Sequence, residues 1–163
     1  MRNNHIQALT ALSHGEAIVV IELTEDWRPP ILVLAAEHAT TRLVAFAMNH
    51  TAGLLTVALP AEKCERLDMP IMAQEAQCAD IAYTVAVDAA EGIGTGISAT
   101  DRSRTIRLLG AASTLPGDLT RPGHVLGARA RRGGVLEHRG PAEVVVDLMG
   151  EAGVSRVGVS VDS

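Results

Sequence analysis

The chain has 163 residues, of which 47% are apolar and 20% charged, and its formal net charge is −5. That length suits one domain with its own core. The acidic balance argues against a nucleic-acid binder, which needs a basic face, and no apolar run reaches the length of a bilayer span. Aromatic residues make up only 2%, so Val, Leu, Ile and Ala must fill the core.

Residues 1–21 (MRNNHIQALTALSHGEAIVVI) lack the basic, apolar, small-residue order of a secretory leader, so a cytoplasmic protein is expected. In that setting Cys64 and Cys78 are expected to be reduced small hydrophobes, with a disulfide or metal pair as the alternative. Ile6, Leu9 and Leu12 recur at helical spacing and predict a helix over 5–14, stopped by Gly15. The β-branched run 17–23 predicts a buried strand. The adjacent Pro29 and Pro30 then force a loop, because neither can donate to a ladder. Residues 31–36 predict a second buried strand, and Thr40 or Thr41 caps a helix to about Asn49. A strand over 54–59 and a short helix over 61–67 follow, then a strand over 83–87.

The glycine-rich turn 91–98 (EGIGTGIS) leads into a helix over 98–109 capped by Ser98 or Thr100. Residues 113–123, with two prolines and two glycines, predict a connecting loop. A strand is expected over 124–130, a turn at 132–134 and the start of another pairing at Val135 and Leu136. Pro141 suits the first turn of a helix running to Met149 or Glu151, and 157–161 reads as a last strand. Strands and helices mix without strict alternation, which predicts a single α+β domain over 1–163 with a mixed sheet flanked by helices.

Residue types alone give several candidate sites. The glycine turn could present backbone N–H groups to an anion, with Thr95, Ser98 and Arg102 beside it, or could be a turn only. Arg129, Arg131 and Arg132 could hold phosphate or carboxylate, or form the wet face of a strand whose other face carries Ala128 and Ala130. His5 and His14 read as solvated, His38 and His50 as structural, and no His-x-x-His spacing marks a metal. Glu25 and Asp26 form an acidic doublet in the loop.

AAEHAT (35–40), HTAGLLTVAL (50–59), YTVAVDA (83–89), TGISATDRSRTIR (95–107), RPGHV (121–125), RARRGGVL (129–136) and AEVVVDLMGEAG (142–153) occur in this order. Together they resemble the 3,4-dihydroxy-2-butanone 4-phosphate synthase family, the riboflavin-pathway lyase, over nearly the whole chain. The resemblance implies that family's sandwich fold, a homodimer with sites at the subunit interface, and conversion of ribulose 5-phosphate to the butanone phosphate and formate with magnesium. It implies metal ligands from an acidic loop after the first strand and from a histidine in a Gly-His-Thr-Glu-Ala motif.

Measured against that pattern, Arg28, Pro29, Pro30 and Ile31 stand where loop carboxylates are expected, Pro141 at the metal histidine and Ala142 at a phosphate-holding threonine. His138 stands at an arginine position with Arg139 next to it, Gly94 at a threonine and Asp162 at a later acidic residue; the C-terminus looks shortened. These departures lead to an expectation of a divergent member with no metal and no cofactor. His124 and Asp162 would be catalytic, because histidine is suited to moving protons near neutrality. Trp27, Thr95, Ser98, Asp101, Arg102, Arg129, His138, Arg139 and Glu143 would bind a small molecule. The expected function is a retooled, metal-independent isomerisation, elimination or cyclisation in an apolar pocket. The alternatives are a non-catalytic dimeric scaffold and the family's own lyase reaction in riboflavin biosynthesis.

Overall fold

A computed structural model describes residues 2–21, 29–51, 54–72 and 81–162. The chain order is α1 (Arg2–Ser13), β1 (Ile18–Val20), β2 (Ile31–Ala35), α2 (Thr41–His50), β3 (Leu55–Pro60), α3 (Ala61–Arg66), β4 (Ala82–Tyr83), β5 (Val87–Ala89), α4 (Ala99–Gly110), β6 (Leu119–Ala130), α5 (Pro141–Glu151) and β7 (Gly158–Asp162). Single turns of 3-10 helix lie at Ala36–His38, Pro116–Asp118 and Gly134–Leu136. The strands form one seven-stranded sheet in the order β1-β2-β7-β3-β6-β4, with β5 also on β6. Only β3 and β6 pair in parallel, so the sheet is mixed, as expected.

Period-2 alternation splits the strands between two cores. Leu34, Leu55, Val57, Leu59, Val125, Val159 and Val161 face α2, α3 and α4, where Val44, Ala47, Cys64, Ile106 and Leu109 meet them. Val33, Ala35, Ala58, Ala128 and Ala130 face α1 and α5, which bring Leu12, Val145, Val146 and Met149. On this second face the register places Ala35 beside Gly158, Gly158 beside Ala58, and Ala58 beside Ala128. Four strands therefore present a row of small residues, and α5 lies against it: a Cβ at Gly158 would come within 2.6 Å of Val145 Cγ1 and 3.1 Å of Met149 Cγ. The large side chains come from the helix and the small ones from the sheet, which is how a core short of aromatics reaches close packing.

Local chemistry accounts for the helix starts. Thr40 accepts the Leu43 N–H at 3.2 Å and Ser98 the Asp101 N–H at 3.1 Å. Pro141 opens α5 at a position with no intrahelical N–H partner to lose.

Four expectations need correction. β1 is an edge strand with Val19, and Ile21 just beyond it, about 60% exposed, because among the described residues it pairs only with β2. The strand expected over 83–87 is two short strands, β4 and β5, which both pair with β6. The loop expected over 113–123 is in its second half the start of β6: pairing with β5 at Leu119 and Thr120 carries the strand through Pro122 and Gly123. Val135 and Leu136 begin no pairing; they form a 3-10 turn whose Val135 N–H is taken by Asp147 at 2.9 Å.

The α5 contact gives a direct test. Gly158→Ala should lower stability by about 1–3 kcal/mol through overpacking. Gly117→Ala, where an added Cβ meets nothing within 4 Å, should change it by less than about 0.5 kcal/mol. Urea denaturation of both variants measures the difference; equal effects would sink this account of the face.

Candidate active site

Two polar clusters lie along β6. The first is built on Asp88, an acidic residue in an otherwise apolar strand and only 6% exposed. The β5–β6 register shifts between Val87 and Asp88, and such irregularities re-aim a side chain. Asp88 Oδ1 accepts the His124 backbone N–H at 3.0 Å, and Oδ2 lies 2.7 Å from His124 Nδ1. The carboxylate thus accepts a hydrogen bond from Nδ1–H and leaves Nε2 as the accepting nitrogen on a ring that is 42% exposed. α4 steadies β5 from behind, since Thr105 Oγ1 accepts the Ala89 N–H at 2.9 Å.

The glycine turn closes over this pair. Its N–H groups are not open to an anion at two key points: Asp101 Oδ1 accepts from Gly94 at 3.2 Å and Oδ2 from Gly96 at 3.1 Å. Ser98 caps α4, and Arg102 Nε donates to Ile97 O at 3.0 Å. Of the turn's candidates, Ser98, Asp101 and Arg102 have partners within the turn, and Thr95 is exposed near its tip.

The second cluster sits where β6 ends and α5 begins. Arg129 and Arg132 both reach Glu65, at 2.7 Å and 3.2 Å. Arg131 Nη1 lies 2.8 Å from His138 Nδ1, and its backbone N–H donates to Glu143 Oε1 at 2.7 Å. Glu143 is 2% exposed, while Arg139 is exposed. A cleft of about 300 Å³ opens here, lined by Pro60, Arg131, Arg132, Glu143, Asp147 and Arg156.

Six residue steps along β6 separate His124 from Ala130, a span of about 20 Å at strand rise. The chain therefore does not bring its candidates into one place: His124, Thr95, Ser98, Asp101 and Arg102 form one group, and Arg129, His138, Arg139 and Glu143 the other. Asp162 ends β7 opposite Ile31. Trp27, Glu25, Asp26 and Cys78 lie outside the described residues. Cys64 is a free thiol pushed up to about 12, first by burial, so it sits in the core as a small hydrophobe.

Sequence reading missed Asp88 and Glu65. Asp88 had a usable signal, since a lone carboxylate inside VAVDA must find a partner when buried. Glu65 had none, because its arginine partners are more than 60 positions away.

The acidic loop from which the resemblance implies magnesium ligands, with Glu25 and Asp26, lies outside the described residues. Among them no group of three or more His, Cys, Asp and Glu side chains could hold a metal ion. Pro141 offers no ligand, and the nearby His138 has its Nδ1 occupied by Arg131.

With this geometry in view, the fold is a mixed-sheet α+β fold that carries a histidine–carboxylate pair on β5 and β6. The family model for 3,4-dihydroxy-2-butanone 4-phosphate synthase matches residues 6–162. The riboflavin biosynthesis proteins RibBA of Salinispora arenicola and Nocardia farcinica are each 46% identical over 154 residues, 94% of this chain and 37% of theirs. A crystal structure of 3,4-dihydroxy-2-butanone 4-phosphate synthase in complex with two magnesium ions has TM-score 0.91 at 37% identity, covering 96% of this chain and 74% of that one. The Candida albicans 3,4-dihydroxy-2-butanone 4-phosphate synthase has TM-score 0.89 at 36% identity, covering 96% and 77%. The chain belongs to the 3,4-dihydroxy-2-butanone 4-phosphate synthase family. It spans little more than a third of the length of these RibBA relatives. The likenesses do not set it apart as a divergent member, and they do not support the retooled chemistry expected above.

The turn makes a pH prediction. Asp101 is held below the ordinary carboxylate value of 3.8, first by the Gly94 N–H and then by the Gly96 N–H and Ser98. A depressed folded pKa means that ionised Asp101 favours the folded turn. That contribution is complete above 3.8 and lost as pH falls through the lower folded value. Protection of the Gly94 and Gly96 amides should fall over that acid window. In Asp101→Asn it should be weaker at neutral pH and show no such step.

Proposed function

We propose that this chain carries the dihydroxybutanone phosphate synthase reaction of riboflavin biosynthesis, acting on ribulose 5-phosphate. The observation that carries this reading is the Asp88–His124 pair, an exposed imidazole held by a buried carboxylate. His124 Nε2 is the group that would take a proton from a carbon beside the substrate carbonyl and return it later. Asp88 holds the ring in the tautomer that makes Nε2 the acceptor and stabilises the imidazolium once it forms, the positioning role a carboxylate plays in other histidine dyads.

The site is proposed to be completed by a second copy of the chain. The about 20 Å between the two clusters along β6 exceeds the reach of a five-carbon sugar phosphate, whereas a partner's cluster can approach from outside. Phe46, Met48 and Leu54, at the end of α2 and before β3, are 38–55% exposed and offer apolar surface for such a contact.

Formate release from ribulose 5-phosphate, assayed with and without magnesium, tests the reading. The purified chain should release formate, and His124→Ala should lower the rate by about 10²–10⁴. Asp88→Asn should also lower kcat, with less effect on KM. A wild-type chain that yields no formate under either condition would overturn the proposal.

A further inference from the structure

Gly96 is the one buried residue of the glycine turn 91–98. A Cβ built on it would lie 2.3 Å from Asp88 Oδ2 and 2.7 Å from His124 Nδ1. Those are the two atoms of the hydrogen bond that ties β5 to the His124 ring. The backbone of Gly96 therefore lies directly on that bond, and no water fits between them. Only glycine suits the place, because φ is +85° there and any side chain would overlap the pair.

The first turn of α4 holds this cover down. One oxygen of Asp101 accepts the Gly96 N–H at 3.1 Å and the other the Gly94 N–H at 3.2 Å. An amide in place of the carboxylate has one accepting oxygen, and its NH2 would face the other N–H, so one of the two bonds needs the charge. Arg102 braces the next carbonyl, Ile97 O, at 3.0 Å. Water kept off this end of the ring cannot compete for Nδ1–H or for Asp88 Oδ2. It also leaves the carboxylate and an imidazolium in a medium less polar than water, where their attraction is stronger. The exposed part of the ring is then its Nε2 side.

We propose that the glycine turn is a water seal over the Asp88–His124 hydrogen bond, with Gly96 as the piece that closes it and Asp101 as the latch that keeps it closed. Both are positioning residues, because each acts on the ring through the bond it protects. The bearing of the seal on catalysis rests on the reading of His124 as the group that moves the proton.

Proton NMR of the full chain at neutral pH tests this on the ring itself. The His124 Nδ1–H, assigned by its absence in His124→Gln, should give a resolved signal that exchanges slowly with water. Asp101→Asn should speed that exchange about tenfold, the shift that one lost hydrogen bond to a charged group brings. Ser98 still caps α4 in that variant, because it holds the backbone N–H of residue 101. Thr40→Ala, which removes a helix cap elsewhere, should leave the exchange unchanged and so separates the latch from general loosening. Gly96→Ala cannot seat the turn; it should leave the Nδ1–H unprotected and lower kcat for formate release more than it raises KM. Fast exchange in the wild-type chain, or exchange indifferent to Asp101→Asn, would overturn the seal, and both are read whether or not Gly96→Ala folds. A folded Gly96→Ala chain with the wild-type kcat would overturn the positioning role. Slow exchange released by Asp101→Asn, in a wild-type chain that yields no formate, would sink the lyase reading and leave the seal standing.

Discussion

The structure depends on how closely α5 lies on the sheet. Ala35, Gly158, Ala58 and Ala128 stand side by side across four strands, and Val145 and Met149 of α5 come down onto Gly158. Larger residues in that row would lift the helix. Its first turn carries Glu143, whose carboxylate is tied to the backbone N–H of Arg131 just past the end of β6. Lifting α5 would therefore break the second polar cluster before it exposed much core. The small-residue row is a packing device and also fixes where the buried carboxylate points.

β6 joins the two halves of the site. It is the longest strand, Leu119–Ala130, and pairs with β3, β4 and β5. Its first half holds His124 against Asp88, and its end delivers Arg129, Arg131 and Arg132. Each polar group on it is met by a partner from another element: Asp88 from β5, Glu65 from α3, Glu143 from α5. A strand pinned on both edges keeps these side chains fixed in relation to one another. If His124 moves protons as proposed, such rigidity reduces the reorganisation left for that step.

Most of the fold was legible because its signals are local. Thr40, Ser98 and Pro141 announce helix starts at their own positions, and the apolar runs of β2, β3 and β7 follow from a buried face on each side of the sheet. What was not legible depends on pairing at a distance. The start of β6 reads as a loop because Pro122 and Gly123 are loop residues, and only β5 pairing makes them strand. β1 reads as buried because its composition says nothing about being last in the sheet order. For the site, the residue types of His124, His138 and Glu143 were visible in the sequence. Their grouping was not, because neither the distance along β6 nor the partners Asp88 and Glu65 can be counted off a linear pattern. The substitutions at Pro141 and Ala142 argued for a changed chemistry, but identity spread over almost the whole chain weighs more than a few altered positions.

The two histidines illustrate how partners set function. His124 has a carboxylate at Nδ1, so that nitrogen donates and Nε2 is left to accept. His138 has a guanidinium at Nδ1, so that nitrogen accepts and Nε2 is left to donate. The same side chain thus presents opposite polarity at its free end in the two clusters. Exchanging the charges of Asp88 and Arg131 would exchange the roles available to the two rings. The chemistry available to each histidine is thus set one residue away from it, in side chains that need not touch the substrate.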